Sequence, residues 1–262
     1  MSFSGKIYFA SDLHLGTPDE KSSAAREKLF VQWLDEIKVD ATEIFIIGDI
    51  FDFWHEYKTV IPKGFVRLQG KIAELCDAGI PVHIFTGNHD LWMFGYFEKE
   101  LGAKVYTQPI QREFNGKKFF IGHGDGLGPG DHGYKFIKKV FSNSVCQFLF
   151  KWLHPDIGAR LANYFSYESR FGNEGKRKAA EEYTNEEKEW LVQFCRETLK
   201  KEHFDFFVFG HRHLPLDVKL NEQSRYINTG DWLDYYSYAV FDGEKMELKY
   251  FSRQRTTDNG QQ

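Results

Sequence analysis

The stretch "PVHIFTGNHD", residues 81–90, decides the fold. Val82, Ile84 and Phe85 form a short apolar run, and the run breaks at Gly87 into Asn88, His89 and Asp90. A run of this length bounded by turn residues suits a strand buried inside a sheet. Open α/β sheets collect their ligands outside the carboxyl ends of such strands. Three polar side chains in that place can bind a metal, move a proton or cap a turn.

The same arrangement recurs along the chain. "KIYFASDLHL" (6–15) ends in Asp12-x-His14, and "TEIFIIGDIFDFW" (42–54) carries Gly48-Asp49. "KKFFIGHGD" (117–125) carries Gly122-His123, and "FDFFVFGHRH" (204–213) ends in Gly210-His211-x-His213. Helical spacing separates the early strands: Leu29, Phe30, Trp33, Leu34 and Ile37 in one segment, then Val66, Leu68, Ile72 and Leu75, with Gly79 at a helix end. "RYINTGDW" (225–232) follows, then a hairpin turning at Asp242-Gly243 within 236–251. Strand and helix in alternation predict an α/β fold.

From Pro129 to about Ala180 the pattern changes to helical stretches with no strand. Nine Lys or Arg stand there against four Asp or Glu, a net +5, where the whole chain carries −4. Ten aromatics accompany them. A basic, aromatic insertion suits a ligand with phosphate at one end and apolar chains at the other. It equally suits a helical pair packed on the sheet with a solvated basic face. The boundaries drawn are a core of 1–128 and 184–255, a helical insertion or lid of 129–183, and a polar tail of 256–262.

Composition narrows the classes. With 262 residues, 42% hydrophobic and 27% charged, the chain is an ordinary globular one. The net charge of −4 gives no support for nucleic acid as a partner. Cys76, Cys146 and Cys195 lie far apart and form no CxxC pair, which suits a reduced cytoplasmic protein. No signal peptide and no transmembrane helix is expected. The sequence leaves the oligomeric state open.

Chemistry follows from the strand-end residues. In DxH and HxH the spacing places both side chains on one side of a strand. Asp12 with His14, and His211 with His213, can each act as a claw, while Asp49, Asn88 and His123 add one ligand each. That set of two carboxylates, one amide and four imidazoles exceeds one tetrahedral zinc site. It suits two five- or six-coordinate ions sharing a carboxylate. Oxygen and nitrogen donors without thiolate favour Mn, Fe, Zn or Co over copper. Any one of these motifs alone is commonly a turn; five in this order are not.

The set DxH, GD, GNHD, GH and GHxH resembles the pattern of calcineurin-like metallophosphoesterases. The resemblance implies a four-layer α-β-β-α sandwich with a di-metal site at one edge, the insertion forming a lid. Two divalent ions, Mn²⁺ foremost, would clamp a phosphoryl group and lower the pKa of an attacking water. Asp49 would be the shared carboxylate and a catalytic residue. Asp12, His14 and His213 would hold one ion, and Asn88, His123 and His211 the other. Asp90 is either a helix N-cap for a segment from Leu91 or a group orienting its neighbours. Asp52 and Asp125 receive no role.

A narrower resemblance lies in "GHGDGLGPGDHGYKFIKKVFSN", "LHPDIGARLANYFSYESR" and "GHRHLP". These are similar to UDP-2,3-diacylglucosamine hydrolases of lipid A biosynthesis, which cleave a pyrophosphate to give UMP and 2,3-diacylglucosamine 1-phosphate. The resemblance implies a lipid-linked nucleotide-sugar substrate and peripheral contact with the anionic inner face of the cell membrane. Substrate contacts would come from Asn88, His89, Asp131, Tyr134, Ser169, Asn173, Lys176 and His211. Phe141, Phe148, Trp152 and Phe165 would line an acyl pocket, or simply pack two short helices.

His89 departs from that group, whose best-known members carry Arg there. Arg is a fixed cation; His can be a cation or a proton donor near neutral pH. His89 would then protonate, or stabilise charge on, the leaving phosphate oxygen. The alternative is a metallophosphoesterase acting on another nucleotide or phosphodiester, which predicts no apolar pocket under the insertion. A fold kept only for binding is disfavoured, because all seven ligands are present.

Overall fold

The computed structural model describes residues 5–128, 132–158, 160–161 and 189–251. Strands β1 (Lys6–Ala10), β2 (Ala41–Ile47) and β3 (Val82–Phe85) run parallel, as the crossovers between them require. Helix α1 (Glu20–Ile37) joins the first two and α2 (Val66–Asp77) the next. After a short helix α3 (Tyr96–Lys99), β4 (Lys104–Tyr106) adds to β3. The hairpin β10 (Ser237–Phe241) and β11 (Met246–Tyr250) returns to β1, giving the order β11-β10-β1-β2-β3-β4.

The second sheet holds β5 (Ile110–Phe114), β6 (Lys117–Ile121), β7 (Phe206–Phe209), β8 (Pro215–Lys219) and β9 (Arg225–Thr229) in the order β5-β6-β7-β9-β8. Between β6 and β7 the described chain is helical, with α4 (His132–Phe141) and α5 (Ser144–Phe150), followed by α6 (Trp190–Leu199).

Local chemistry sets the helices. Asp19 opens α1 by accepting from the Ser22 amide at 2.9 Å. One stripe of α1, including Phe30, Trp33 and Leu34, is buried. Glu27 on that helix accepts from the Arg67 and Leu68 amides at 2.9 and 3.1 Å, so a carboxylate of α1 caps α2. Asn143 caps α5 through the Val145 amide at 2.9 Å.

Three apolar layers show the sandwich. The α1–α2 stripes pack on one face of the first sheet. Its other face meets the second sheet through Phe9, Phe45, Phe119, Phe206 and Phe241. Leu191, Val192 and Cys195 of α6 cover the far side against Phe207 and Phe209. Helix, sheet, sheet and helix are the four layers expected. Rings are in direct contact, with Phe119 lying 5.0 Å from Phe241 across the sheets and 4.9 Å from Phe206 of its own sheet. Phe119→Ala should therefore cost about 3–5 kcal/mol, read as a lower urea midpoint at unchanged slope.

Two expectations need correction. Residues 91–95 are not helical; α3 starts only at Tyr96, after Gly95. Asp90 therefore caps no helix. The aromatics proposed for an acyl pocket do not enclose one among the described residues: Phe141, Phe148 and Trp152 are 44%, 58% and 77% exposed. Helix α5 buries none of its residues. Phe165 lies outside the described residues, as does the tail 256–262.

Candidate active site

Each predicted ligand stands just past the carboxyl end of a strand. Asp12 and His14 follow β1, Asp49 follows β2, Asn88 follows β3, His123 follows β6, and His211 and His213 follow β7. The first sheet supplies four of the seven and the second sheet three, so the site spans the edge of the sandwich. Asp12, His14 and Asp49 are at most 1% exposed and His123 is 3% exposed.

The backbone is bent hard to achieve this. Asp12, His14, Asp49, His211 and His213 all have positive φ, from 45° to 69°. Side chains other than Gly rarely adopt that region, at roughly 1–3 kcal/mol each, and such strain gathers at functional sites. The motif glycines are explained by space. A Cβ on Gly87 would come 2.6 Å from the Asp49 amide nitrogen, and one on Gly210 would come 2.5 Å from Asp12 Oδ2.

The donor atoms converge. His14 Nε2 lies 3.6 Å from both Asp12 Oδ1 and Asp49 Oδ2, and His213 Nε2 lies 3.4 Å from Asp12 Oδ1. His123 Nε2 lies 3.3 Å from Asp49 Oδ2 and 3.3 Å from Asn88 Oδ1. Three groups have ligand atoms within 4.8 Å of one another: Asp12, His14 and His213; His14, Asp49 and His89; Asp49, His123 and His211. Asp49 belongs to two of them.

The residues fit divalent cations. Asp12 Oδ1 is fully buried with no hydrogen-bond partner, a costly state for a carboxylate oxygen unless a cation meets it. Its other oxygen accepts from Ser11 Oγ and, at 2.9 Å, from the His211 amide. His123 Nδ1 donates to the Ile47 carbonyl at 2.8 Å. His213 Nδ1 donates to Asp231 Oδ2 at 3.2 Å. These partners assign the tautomers and turn both Nε2 lone pairs inward. His14 and His213 then face each other, Nε2 to Nε2, at 3.3 Å.

Protons respond to the same field. Burial works against the charged form of His123, but Asp49 outweighs it and carries the imidazole up to about 10. Burial, with the His123 charge beside it, pushes His211 down to about 3. Burial also raises Asp12, while the imidazoles overcome burial at Asp49 and hold it well below the usual carboxylate range. A pocket that draws a proton onto His123 is one that a cation can enter by displacing that proton.

Supporting groups complete the cluster. Asp90 accepts from the Gly87 amide at 2.7 Å and the Ile50 amide at 2.8 Å, tying the β2 and β3 loops together. Burial first, then Asp49, lifts its carboxyl to about 7. Arg26 of α1 donates to the Leu13 carbonyl at 2.6 Å and the His14 carbonyl at 2.7 Å, fixing the first loop. His89 Nδ1 donates to the Asp52 carbonyl at 3.2 Å, and its ring stands edge-on to His14 at 4.9 Å.

Asp231 is the residue that motif reading passes over. It follows β9 in "TGD", the same Gly-Asp arrangement as Gly48-Asp49. Its Oδ1 accepts from the amides of Leu233, Asp234 and Tyr235 at 2.9 to 3.2 Å, which aims Oδ2 at His213. Asp231→Asn should weaken divalent-ion binding by about 10–100-fold, measured by competition against a fluorescent chelator.

Of the predicted substrate contacts, Asn88, His89 and His211 lie in the cluster, and Tyr134 falls on α4. Asp131, Ser169, Asn173 and Lys176 lie outside the described residues. Helices α4 and α5 are fastened beside the site. Trp92 Nε1 donates to the Phe141 carbonyl at 2.9 Å, and the Phe150 ring packs 4.6 Å from Trp92 and 4.9 Å from His55. His55 is fully buried there, and burial pushes its imidazole down to about 4.

Residues 5–215 match the family model "Calcineurin-like phosphoesterase", and the chain belongs to that family of metal-dependent hydrolases. It is 39% identical over 254 residues to UDP-2,3-diacylglucosamine hydrolase of Porphyromonas gingivalis, covering 93% of this chain and 97% of the relative. It is 28% identical to the enzyme of the same name from Proteus mirabilis, covering 93% and 98%. Among solved structures, Yfce, a phosphoesterase from E. coli, aligns with TM-score 0.45 and 15% identity over 94% of this chain and 92% of that one. Among the described residues no helix is long and apolar enough to cross a membrane.

Proposed function

We propose that the chain hydrolyses the pyrophosphate of UDP-2,3-diacylglucosamine to UMP and 2,3-diacylglucosamine 1-phosphate, with two divalent ions, Mn²⁺ the first choice. The observation that carries this is a seven-ligand cluster with aromatic, basic helices fastened beside it by Trp92 and Phe150. The likeness to the Porphyromonas gingivalis enzyme supports the same substrate.

Asp12, His14 and His213 would hold one ion and Asn88, His123 and His211 the other, with Asp49 within reach of both groups. Bound, the ions supply Lewis acidity at a phosphoryl oxygen and a more acidic water. The chain's own residues do the rest. The protonated Nδ1 atoms of His123 and His213 keep their Nε2 atoms directed inward. Asp90 and Arg26 hold the loops still. His89, anchored through Nδ1, presents Nε2 to the leaving oxygen for a proton or a hydrogen bond.

Residues 129–183 form the lid, with Asp131, Tyr134, Ser169, Asn173 and Lys176 on the headgroup. The exposed Phe148, Leu149 and Trp152, with the exposed Lys139 and Lys151 near them in the chain, take the acyl chains and meet the anionic inner face of the cell membrane.

Purified protein with Mn²⁺ should release UMP from UDP-2,3-diacylglucosamine, and water labelled with oxygen-18 should mark one product only. Brisk turnover of a dinucleoside polyphosphate with none of the lipid substrate would overturn the substrate and leave the reaction class.

A further inference from the structure

A crevice of about 230 Å³ opens beside the cluster, between the two sheets and at the root of α4. His123 forms its inner wall, so it is continuous with the ligands. Thr107, Gln108 and Pro109, in the link from β4 to β5, line it together with Leu127. Lys135 and Lys138 reach in from α4.

Its size admits only part of the substrate. Drug-sized ligands need roughly 300 Å³ or more, and a nucleotide bearing a diacyl sugar far exceeds that. One nucleoside is small enough to fit. The wall chemistry selects the polar end. Thr107 and Gln108 are exposed and offer a hydroxyl and an amide, which can match both donors and acceptors of a base edge. Pro109 and Leu127 give the apolar surfaces a flat base needs. Two ammonium groups are fixed in place: Lys135 Nζ donates to the Gly128 carbonyl at 2.6 Å, and Lys138 Nζ pairs with Asp125 Oδ2 at 2.5 Å. Among the described residues Lys135 Nζ meets a neutral carbonyl while Lys138 pairs with a carboxylate, so Lys135 offers positive charge to a phosphate.

Asp49 Oδ2 lies 3.3 Å from His123 Nε2 and 3.6 Å from His14 Nε2, while Oδ1 accepts from the His89 amide at 2.9 Å. Trp92, three residues after His89, packs against Phe141 and Phe150. A substrate lying across Asp49 therefore meets polar, cationic walls on one side and aromatic ones on the other.

We propose that the crevice is the nucleoside monophosphate subsite, with uracil between Pro109 and Leu127 against Thr107 and Gln108, its phosphate toward Lys135, and the acylated sugar toward His89 and Trp92. The assignment rests on the UDP-2,3-diacylglucosamine reading above and fixes the direction in which that substrate lies.

Calorimetric titration of the Mn²⁺-loaded protein with each product separates the poles. Gln108→Leu and Lys135→Ala should each weaken UMP binding about tenfold, the worth of one hydrogen bond or charge contact, while 2,3-diacylglucosamine 1-phosphate binding shifts far less. Gln108→Leu should also erase any preference for UMP over CMP. Gln108 is exposed and Lys135 half-buried, so circular dichroism should match the parent. Unchanged UMP affinity in both variants, or equal losses for the two products, overturns the subsite even if the parent hydrolyses the lipid substrate. UMP binding that depends on Gln108, in a protein that leaves the lipid substrate intact, supports the subsite and overturns the lipid reading instead.

Discussion

Asp49→Asn is expected to lose at least about a thousandfold in kcat/KM and to retain fewer than two divalent ions per chain after dialysis, measured by elemental analysis. The amide keeps the shape and can still accept from the His89 amide nitrogen, a bond of 2.9 Å in the parent. Its charge is what disappears. Asp49 Oδ2 is the atom that both His123 Nε2 and His14 Nε2 approach, at 3.3 and 3.6 Å. No other carboxylate in the cluster belongs to two of the three ligand groups. Losing several kcal/mol of charge stabilisation in a dry site converts to three or more powers of ten. Thermal unfolding of the ion-free variant should stay close to that of the ion-free parent, since shape and packing are kept. A variant that kept two ions and near-parental activity would remove Asp49 from the shared position.

Much of this candidate site could be read from the sequence because most of the predicted ligands, those beyond Asp12 and His14, are announced twice. A buried apolar run says where a strand ends, and a Gly before or within the turn leaves room for a neighbour's side chain, as at Gly87 and Gly210. The three strands that such runs do not announce, β4, β5 and β8, are all sheet edges. An edge strand is half solvated, so polar residues such as Gln111, Arg112 and Glu113 dilute its pattern. Asp231 follows the same Gly-Asp arrangement but escapes notice, because its role depends on His213, eighteen residues away and across the loop after β7. Arg26 is hidden for a like reason: a cation within an amphipathic helix reads as solvated, yet here it is 7% exposed and bound to loop carbonyls. Asp90 shows the limit of local rules. An Asp after a Gly-Asn-His turn suits a helix cap, but besides the Gly87 amide of its own loop Asp90 meets the Ile50 amide of the β2 loop, forty residues earlier. Only the pairing of β2 with β3 brings them together.

His89→Ala is expected to keep both ions and to slow hydrolysis by about a hundredfold or more for substrates with poor leaving groups, and much less where the leaving phosphate is already a good anion. The geometry gives the reason. His89 is anchored by Nδ1 to the Asp52 carbonyl, its ring is edge-on to His14, and its side chain is 16% exposed. It stands at the rim of the cluster, its side chain partly exposed. The same position puts it within reach of His14 and Asp49 as a possible ligand, so ion content decides between the roles: loss of one ion on His89→Ala would make it a ligand. His89→Arg separates charge from proton transfer. Guanidinium stays cationic at working pH and gives up no proton. If it restores turnover of poor leaving groups, charge at residue 89 suffices. If it restores only the good ones, the imidazole proton is what the poor ones require, and the leaving-group dependence of the two variants, plotted together, reads that difference directly.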